Sequence, residues 1–301
     1  MAKSESSHWY YPDGKSCHSM PYSDKKRAGE SRPTTLKDAR ALKLLPSVTG
    51  ILGVLDKPML TDWKLEQLSR EWRHRLSLLD KKENTYPDDV VFALRDMLGR
   101  DFDELHEEIV DHSMRQVEEA ADAGELIHKG AELALQGLEY DHDLPVFLPE
   151  LKTTFPLSCF IKPVEAFVKE NGIKPLGHEV KTVCLRHGYA GTGDLPMTCN
   201  RGRGFGDFKS RKTKPGKPVK AYDTQVMQIA AYHGAHFGPE ELLADGLTGA
   251  PVAGFNLYIS TTEPGRIDPV WYGHDEVAAA YPAFTNLCAV WRFLKGYDPR
   301  A

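Results

Sequence analysis

The sequence predicts an α/β fold: a central mixed sheet with helices on both faces, preceded by a mainly helical N-terminal half. Three observations predict it. Residues 177–232 read as strand, strand, strand, helix; the stretch before them carries apolar residues at helical spacing; and two further strand-like segments lead into a long amphipathic C-terminal run. At 301 residues the chain is long enough to bury a sizeable core. The organisation expected is a polar arm over residues 1–45 and one domain over 46–301, mainly helical in 46–176, with the sheet core and C-terminal helix in 177–301.

Taken from the N-terminus, the arm is polar and turn-rich, with Trp9, Tyr10, Tyr11 and Tyr22 set among Lys25, Lys26, Arg27 and Arg32. It suits either an irregular segment lying on the body or a clasp for nucleic acid, since aromatic rings interleaved with cations can stack on unpaired bases. TLKDARAL predicts a short helix with Thr35 as its N-cap. In LPSVTGILGVL, Ser47 and Thr49 are placed either to cap a helix or to meet a phosphate. Residues 60–79 and 88–98 have helical periodicity, interrupted by a polar loop at 81–87, and 101–137 add one or two more helices. On the last of these Ile127, Ala131, Ala134, Leu135 and Leu138 form the apolar stripe, and His128 lies on its edge. A histidine so placed is by default a packed core residue. Pro145 and Pro149 predict a loop, followed by a helix over 160–171 with Gly172 as its C-cap.

GHEVKTVCLRH then alternates as a strand, residues 188–191 supply a turn, TGDLPMTC forms a second strand, and Asn200, Arg201 and Gly202 turn the chain into a third, GFGDFKS. Alternation puts Asp207 and Lys209 on one face of that third strand, about 7 Å apart along it. Asp-x-Lys occurs five times, at Asp13, Asp24, Asp62, Asp80 and Asp207. The first two lie in the polar leader, and the next two in helix-patterned sequence where a two-residue spacing separates the side chains. Only Asp207 follows an acid-bearing hairpin and precedes a helix; its plain reading is a surface ion pair on an edge strand.

Asp194 argues for more. Gly191 and Gly193 let a backbone or a ligand come close beside it, and the hairpin sets it next to the strand bearing Asp207. Two carboxylates so placed repel unless a cation lies between them. Oxygen-rich ligation suits Mg²⁺ or Mn²⁺, which accept carboxylates together with substrate phosphates. Lys209 then faces a phosphate or the attacking water, which is equipment for metal-assisted cleavage of a phosphodiester.

Beyond the third strand, Arg211, Lys212, Lys214, Lys217 and Lys220 form a basic Pro/Gly loop, suited to a nucleic-acid backbone or simply to solvent. The helix that follows carries Gln225, Gln228 and Tyr232 on one stripe. Residues 252–260 and 267–271 read as strands, and the C-terminal helix is expected to bury Val277, Tyr281, Phe284, Leu287, Cys288, Trp291 and Leu294.

These residues carry a family resemblance. GELIHKGAEL with His128, TGD with Asp194, GDFKSRK with Asp207 and Lys209, QIAAY with Gln228 and Tyr232, and LPSVTGIL upstream occur in the order found in the RecB-like branch of the PD-(D/E)XK nucleases. The chain most resembles the phage and mitochondrial-genome-maintenance type of exonuclease, over roughly residues 45–238. The resemblance implies a restriction-endonuclease-like core, with His128, Asp194, Asp207 and the Phe208 carbonyl as metal ligands. It implies that Lys209 positions the water, that Gln228 and Tyr232 steady the scissile phosphate or their helix, and that Glu179 is the acidic residue of the first core strand. Ser47, Thr49 and the basic loop would contact nucleic acid. One departure is that glycine leads the Asp207 strand where an aliphatic residue is usual, which predicts looser packing there.

The function expected is a Mg²⁺- or Mn²⁺-dependent DNA exonuclease acting on single strands or on ends. A structure-specific endonuclease on the same fold, or a nuclease-dead DNA-binding subunit, are the alternatives. A net charge of −5 argues against a histone-like binder, though a nuclease needs only a local basic groove. Five cysteines without Cys-x-x-Cys spacing imply a reducing compartment, and their positions do not match the four-cysteine pattern of the relatives that carry an iron-sulfur cluster, so no cluster is expected. No run approaches the roughly 20 apolar residues of a membrane span, and the N-terminal residues do not read as a targeting signal. The chain is expected in the cytoplasm of a bacterial or phage-infected cell; no residue predicts an oligomeric state.

Overall fold

The computed structural model describes residues 8–22, 27, 29–55, 65, 68, 69, 102–243 and 251–300. The helix expected over 60–79, apart from residues 65, 68 and 69, lies outside the described residues, as do the helix at 88–98, the loop at 81–87, and Lys25 and Lys26. In chain order the N-terminal elements are β1 (Trp9–Tyr10), β2 (Ser19–Pro21), β3 (Ser31–Pro33), α1 (Leu36–Leu42), β4 (Leu45–Pro46), α2 (Val48–Leu52) and α3 (Phe102–Leu135). Then come β5 (Pro145–Leu148), β6 (Thr153–Pro156), α4 (Ser158–Glu170), β7 (Lys174–Pro175), β8 (Val180–Cys184), β9 (Tyr189–Gly193), β10 (Leu195–Cys199) and β11 (Gly202–Arg211). The chain closes with α5 (Asp223–His236), α6 (Glu240–Leu243), β12 (Gly254–Ser260), β13 (Ile267–Tyr272) and α7 (His274–Lys295).

The fold is mixed α/β. Its main sheet has five strands in the order β13-β12-β11-β10-β7, with β11 and β12 parallel and the other neighbours antiparallel. Strand alternation divides the side chains. Phe205, Asp207 and Lys209 share a face with Asn256 and Tyr258, where Tyr232 of α5 packs on Phe205 with ring centroids 5.8 Å apart. The other face presents Phe255 and Trp271 to Phe167 of α4, at 5.2 and 5.8 Å. The sheet is thus covered by helices on both sides.

Two compact units divide the chain: Met1–Leu55, Ile127–Leu144 and Pro156–Ala301 form one, Asp56–Leu126 and Pro145–Phe155 the other. The boundary expected between residues 45 and 46 is therefore not where the chain divides, and residues 8–45 are no separate arm. β1 pairs with β4, and Trp9 and Tyr10 are each only 3% exposed. Trp9 lies 6.0 Å, ring to ring, from Trp291 of α7. Rings of that size gain more from a dry contact than from solvent, so these two are core and not a clasp.

Several local expectations are met. Thr35 caps α1 in a capping box with Asp38, whose carboxylate also holds Arg32 at 2.7 Å. Residues 102–135 form one helix. Others are corrected. The turn placed at residues 188–191 lies at 185–188, where Gly188 takes the left-handed φ of 73°, and Tyr189–Gly193 is a strand paired with β8. The loop expected after Pro145 contains the β5–β6 pair. α4 starts at Ser158, and Asn171 rather than Gly172 is its C-cap, Gly172 following at a left-handed φ of 59°. Leu294, expected in the core, is exposed, and Leu287 is only partly buried. Beyond the α7 stop at Gly296, Tyr297 packs its ring 6.4 Å from Trp9 and 6.2 Å from Trp291, and its hydroxyl lies within donating distance of the Ala39 and Leu44 carbonyls, at 3.1 and 2.8 Å.

The glycines that lead the Asp207 strand do not loosen it. A side chain at Gly206 would collide with the Phe255 ring and one at Gly204 with the Ala253 backbone, so the neighbours already fill both spaces. Among the described residues no helix is long and apolar enough to cross a membrane.

Candidate metal centre

Asp194 sits at the corner where the chain leaves the β8–β9 pair and enters the main sheet as β10. The register Leu195↔Gly206, carried one residue further, sets it opposite Asp207. Its Oδ2 accepts from the Phe208 backbone N–H at 2.9 Å, and its own carbonyl accepts from the Glu179 N–H at 3.0 Å. The flanking glycines admit aromatic rings rather than a ligand. A Cβ at Gly191 would lie 2.7 Å from the Tyr232 ring, and one at Gly193 2.6 Å from the Phe205 ring. Those rings wall the acid on one side.

Glu179, one residue before β8, holds a φ of +48°, a region that side-chain-bearing residues seldom occupy. His128 comes from α3; its Nε2 lies 2.6 Å from the Phe208 carbonyl oxygen, and its ring meets the Phe208 ring edge-on at 6.0 Å. His128, Glu179 and Asp194 each bring one ligand atom to within 4.8 Å of the others. Four groups anticipated at the site, these three and the Phe208 carbonyl, converge.

Asp207 stands differently. It is 1% exposed, and its carboxylate is taken up by neighbours: Lys209 Nζ at 2.8 Å from Oδ1 and 2.6 Å from Oδ2, and Asn256 Nδ2 at 2.7 Å from Oδ2. The spacing that put Asp207 and Lys209 on one face is also what ties them together, and Asp207 is outside the His128, Glu179 and Asp194 trio. Burial raises the pKa of the Asp194 carboxyl well above the ordinary carboxylate range, and Asp207 and Glu179 add to the rise against the opposing Lys209 charge and Phe208 N–H. Glu179 is raised too, by burial and then by Glu132. Burial works against the Lys209 charge, but Asp207 and Asp194 outweigh it and its pKa rises, so it remains an ammonium.

The other anticipated residues are placed as follows. Gln228 Nε2 donates to the Tyr232 hydroxyl at 3.1 Å, and both residues are buried. Gln225 Oε1 accepts from the Tyr222 N–H at 2.7 Å and from the Tyr258 hydroxyl. Ser47, 3% exposed, caps α2 by accepting from the Gly50 N–H at 2.9 Å, and lies 3.1 Å from Thr49 Oγ1. In the basic loop Arg211 donates to the Lys220 carbonyl at 2.8 Å, and Arg266 donates to the Lys214 and Lys217 carbonyls at 3.0 and 2.5 Å. With their carbonyls held inward, Lys214, Lys217 and Lys220 remain exposed to solvent; Lys212 is half-buried.

Asn256 was not singled out from the sequence. It is fully buried, and its Oδ1 accepts from the Tyr272 hydroxyl at 2.6 Å. The available signal was a lone amide inside an otherwise apolar strand, GFNLYIS, since a buried polar side chain needs a partner.

No family model matches the sequence, and a search of curated proteins finds no relative. Among solved structures, the crystal structure of SSO0001 is similar at a TM-score of 0.27 and 18% identity, covering 58% of this chain and 87% of that one. A likeness at that level carries no argument about function.

Proposed function

We propose that this chain is a Mg²⁺- or Mn²⁺-dependent deoxyribonuclease of PD-(D/E)XK type, acting as an exonuclease on single-stranded DNA or on DNA ends. The observation that carries the reading is the convergence of His128, Glu179, Asp194 and the Phe208 carbonyl beside the ion pair of buried Asp207 with half-buried Lys209. The parallel pairing of β11 with β12, and α5 following β11, support the finer fold. The donor set fits a hard cation, being mostly oxygen with one imidazole. Burial first, and neighbouring carboxyls after it, raise the pKa values of Asp194 and Glu179, and a cation bound between them would favour their ionised forms.

Such a cation supplies polarisation of the phosphoryl oxygen and a more acidic bound water. The chain's own groups do the rest. Lys209 sets a fixed positive charge where a phosphorane would build negative charge, and the Asn256 amide holds one of its partner oxygens on Asp207 in place. The Tyr232 hydroxyl, kept protonated by burial, and Gln228 support the wall beside Asp194. The loop bearing Lys214, Lys217 and Lys220 offers a salt-sensitive grip on backbone phosphates.

Mn²⁺ or Mg²⁺ at millimolar concentration is expected to raise the melting temperature in the absence of DNA, by mass action on the folded state, and Asp194→Asn to remove the rise. Differential scanning fluorimetry reads this; an equal rise in the variant would exclude Asp194 as a ligand.

The exonuclease reading is tested with closed circles. Covalently closed single-stranded circles are expected to survive conditions that fully degrade the same DNA made linear. Binding should weaken by about 0.7 log units per phosphate contact per log unit of salt. Neutralising Lys212, Lys214 and Lys217 together should flatten that slope. Rapid cutting of the circle would replace the exonuclease by an endonuclease on the same site.

A further inference from the structure

We infer that Asn256 is a positioning residue, held by Tyr272, that fixes the orientation of the Asp207 carboxylate against Lys209. For its catalytic consequence this rests on the nuclease reading above. Asn256 lies directly across the parallel β11–β12 pair from Asp207, so both side chains leave the sheet on the same face. Its amide N–H donates to Asp207 Oδ2 at 2.7 Å, while Lys209 Nζ reaches both carboxylate oxygens. The carboxylate is thereby held by two donors from different strand positions, and rotation about its Cβ–Cγ bond would break at least one contact.

An asparagine amide can face either way, and Asp207, whose carboxylate can only accept, settles which. Tyr272 pairs with Gly254 on the neighbouring strand and donates its hydroxyl to Asn256 Oδ1 at 2.6 Å. The amide nitrogen therefore faces Asp207, since the reverse orientation would set an oxygen against a carboxylate, and the amide oxygen is left to accept from the Tyr272 hydroxyl. Asp207, Asn256 and Tyr272 are 1%, 0% and 6% exposed, so water does not substitute for a lost partner. The chain Tyr272, Asn256, Asp207, Lys209 therefore crosses four positions on three adjacent strands, β13, β12 and β11. It is a supporting layer of the kind that orients the groups around a metal, whose loss costs about 10- to 100-fold in affinity or activity.

Two measurements test it. The first uses neither metal nor DNA: a double-mutant cycle on the melting temperature with Asn256→Ala and Asp207→Ala, in which the two losses are expected not to add. Additive losses would overturn the contact. The second is steady-state cleavage of linear single-stranded DNA with Mn²⁺, comparing Tyr272→Phe with wild type. A fall of about tenfold in kcat with KM unchanged is expected, and no further fall when Tyr272→Phe is added to Asn256→Ala. An unchanged kcat in Tyr272→Phe, or full additivity with Asn256→Ala, would overturn the positioning role. If Asn256→Ala does not fold, Tyr272→Phe, which keeps the ring, is paired with Asp207→Ala in the cycle. Wild-type protein inert with every metal would remove the nuclease reading, and the stability cycle would still decide whether Asn256 and Asp207 act as a unit.

Discussion

Asp207→Ala and Lys209→Ala are each expected to lower metal-dependent DNA cleavage by at least about 10³-fold while leaving DNA affinity within about twofold, as befits groups that act in the transition state rather than in grip. The geometry separates the two quantities. Lys209 Nζ is bound to both oxygens of Asp207 on one face of the sheet, whereas the exposed lysines of the loop after β11 are available to the phosphate backbone. Because the two aspartates keep Lys209 charged, its contribution is a fixed cation and not a base. Removing Asp207 outright leaves the half-buried Lys209 ammonium and the buried Asn256 amide without their acceptor, a cost to folding that alanine alone would confuse with chemistry. Asp207→Asn, equal in size and able to accept from Lys209, is therefore the control. It should retain a wild-type melting temperature more nearly and still lose cleavage. The check is a time course on end-labelled DNA with Mn²⁺ beside anisotropy of the same DNA in EDTA. Robust cleavage by Asp207→Ala would take the site out of the reaction.

The largest effect on stability is expected from Phe205→Ala, a loss of about 3–5 kcal/mol. Phe205 is fully buried on the same face of β11 as Asp207, and its ring meets Tyr232, His236 and Phe237 at centroid distances of 5.8, 5.5 and 5.7 Å. It also fills the space that Gly193 leaves open beside Asp194. Truncation would open a cavity at the junction of β9, β11 and α5, and those rigid elements can collapse into it only in part. For a chain of this size the loss corresponds to a melting-temperature drop on the order of 10 °C. Phe205→Leu, which keeps most of the volume, should lose much less. Urea denaturation of both variants reads the difference; equal midpoints for Phe205→Ala and wild type would mean that the ring does not fasten the helix to the sheet.

Features that depend on local chemistry and short spacing are legible in the residues alone. Alternation put Asp207 and Lys209 on one strand face, Thr35 marked a helix start, and the apolar rhythm of residues 277–291 marked the C-terminal helix. A two-residue period or a capping oxygen acts within a few residues, so it can be read without the fold. Which of the acids share a place follows from the packed fold and not from their spacing. His128, Glu179 and Asp194 come from a helix, a strained residue before a strand and a corner between two sheets. Their meeting depends on strand register and on the packing of α3, neither of which leaves a mark in local spacing. The same holds for Asn256 and Tyr272, which reach Asp207 only because β12 runs parallel to β11 and β13 antiparallel to β12. It holds as well for Trp9 and Tyr10, whose sequence neighbours are polar but whose burial is set by residues nearly three hundred positions away in α7 and by the pairing with β4. Long-range pairing joins residues that composition and periodicity treat as independent, so the partners of a buried polar or aromatic group become legible only when the strands are side by side.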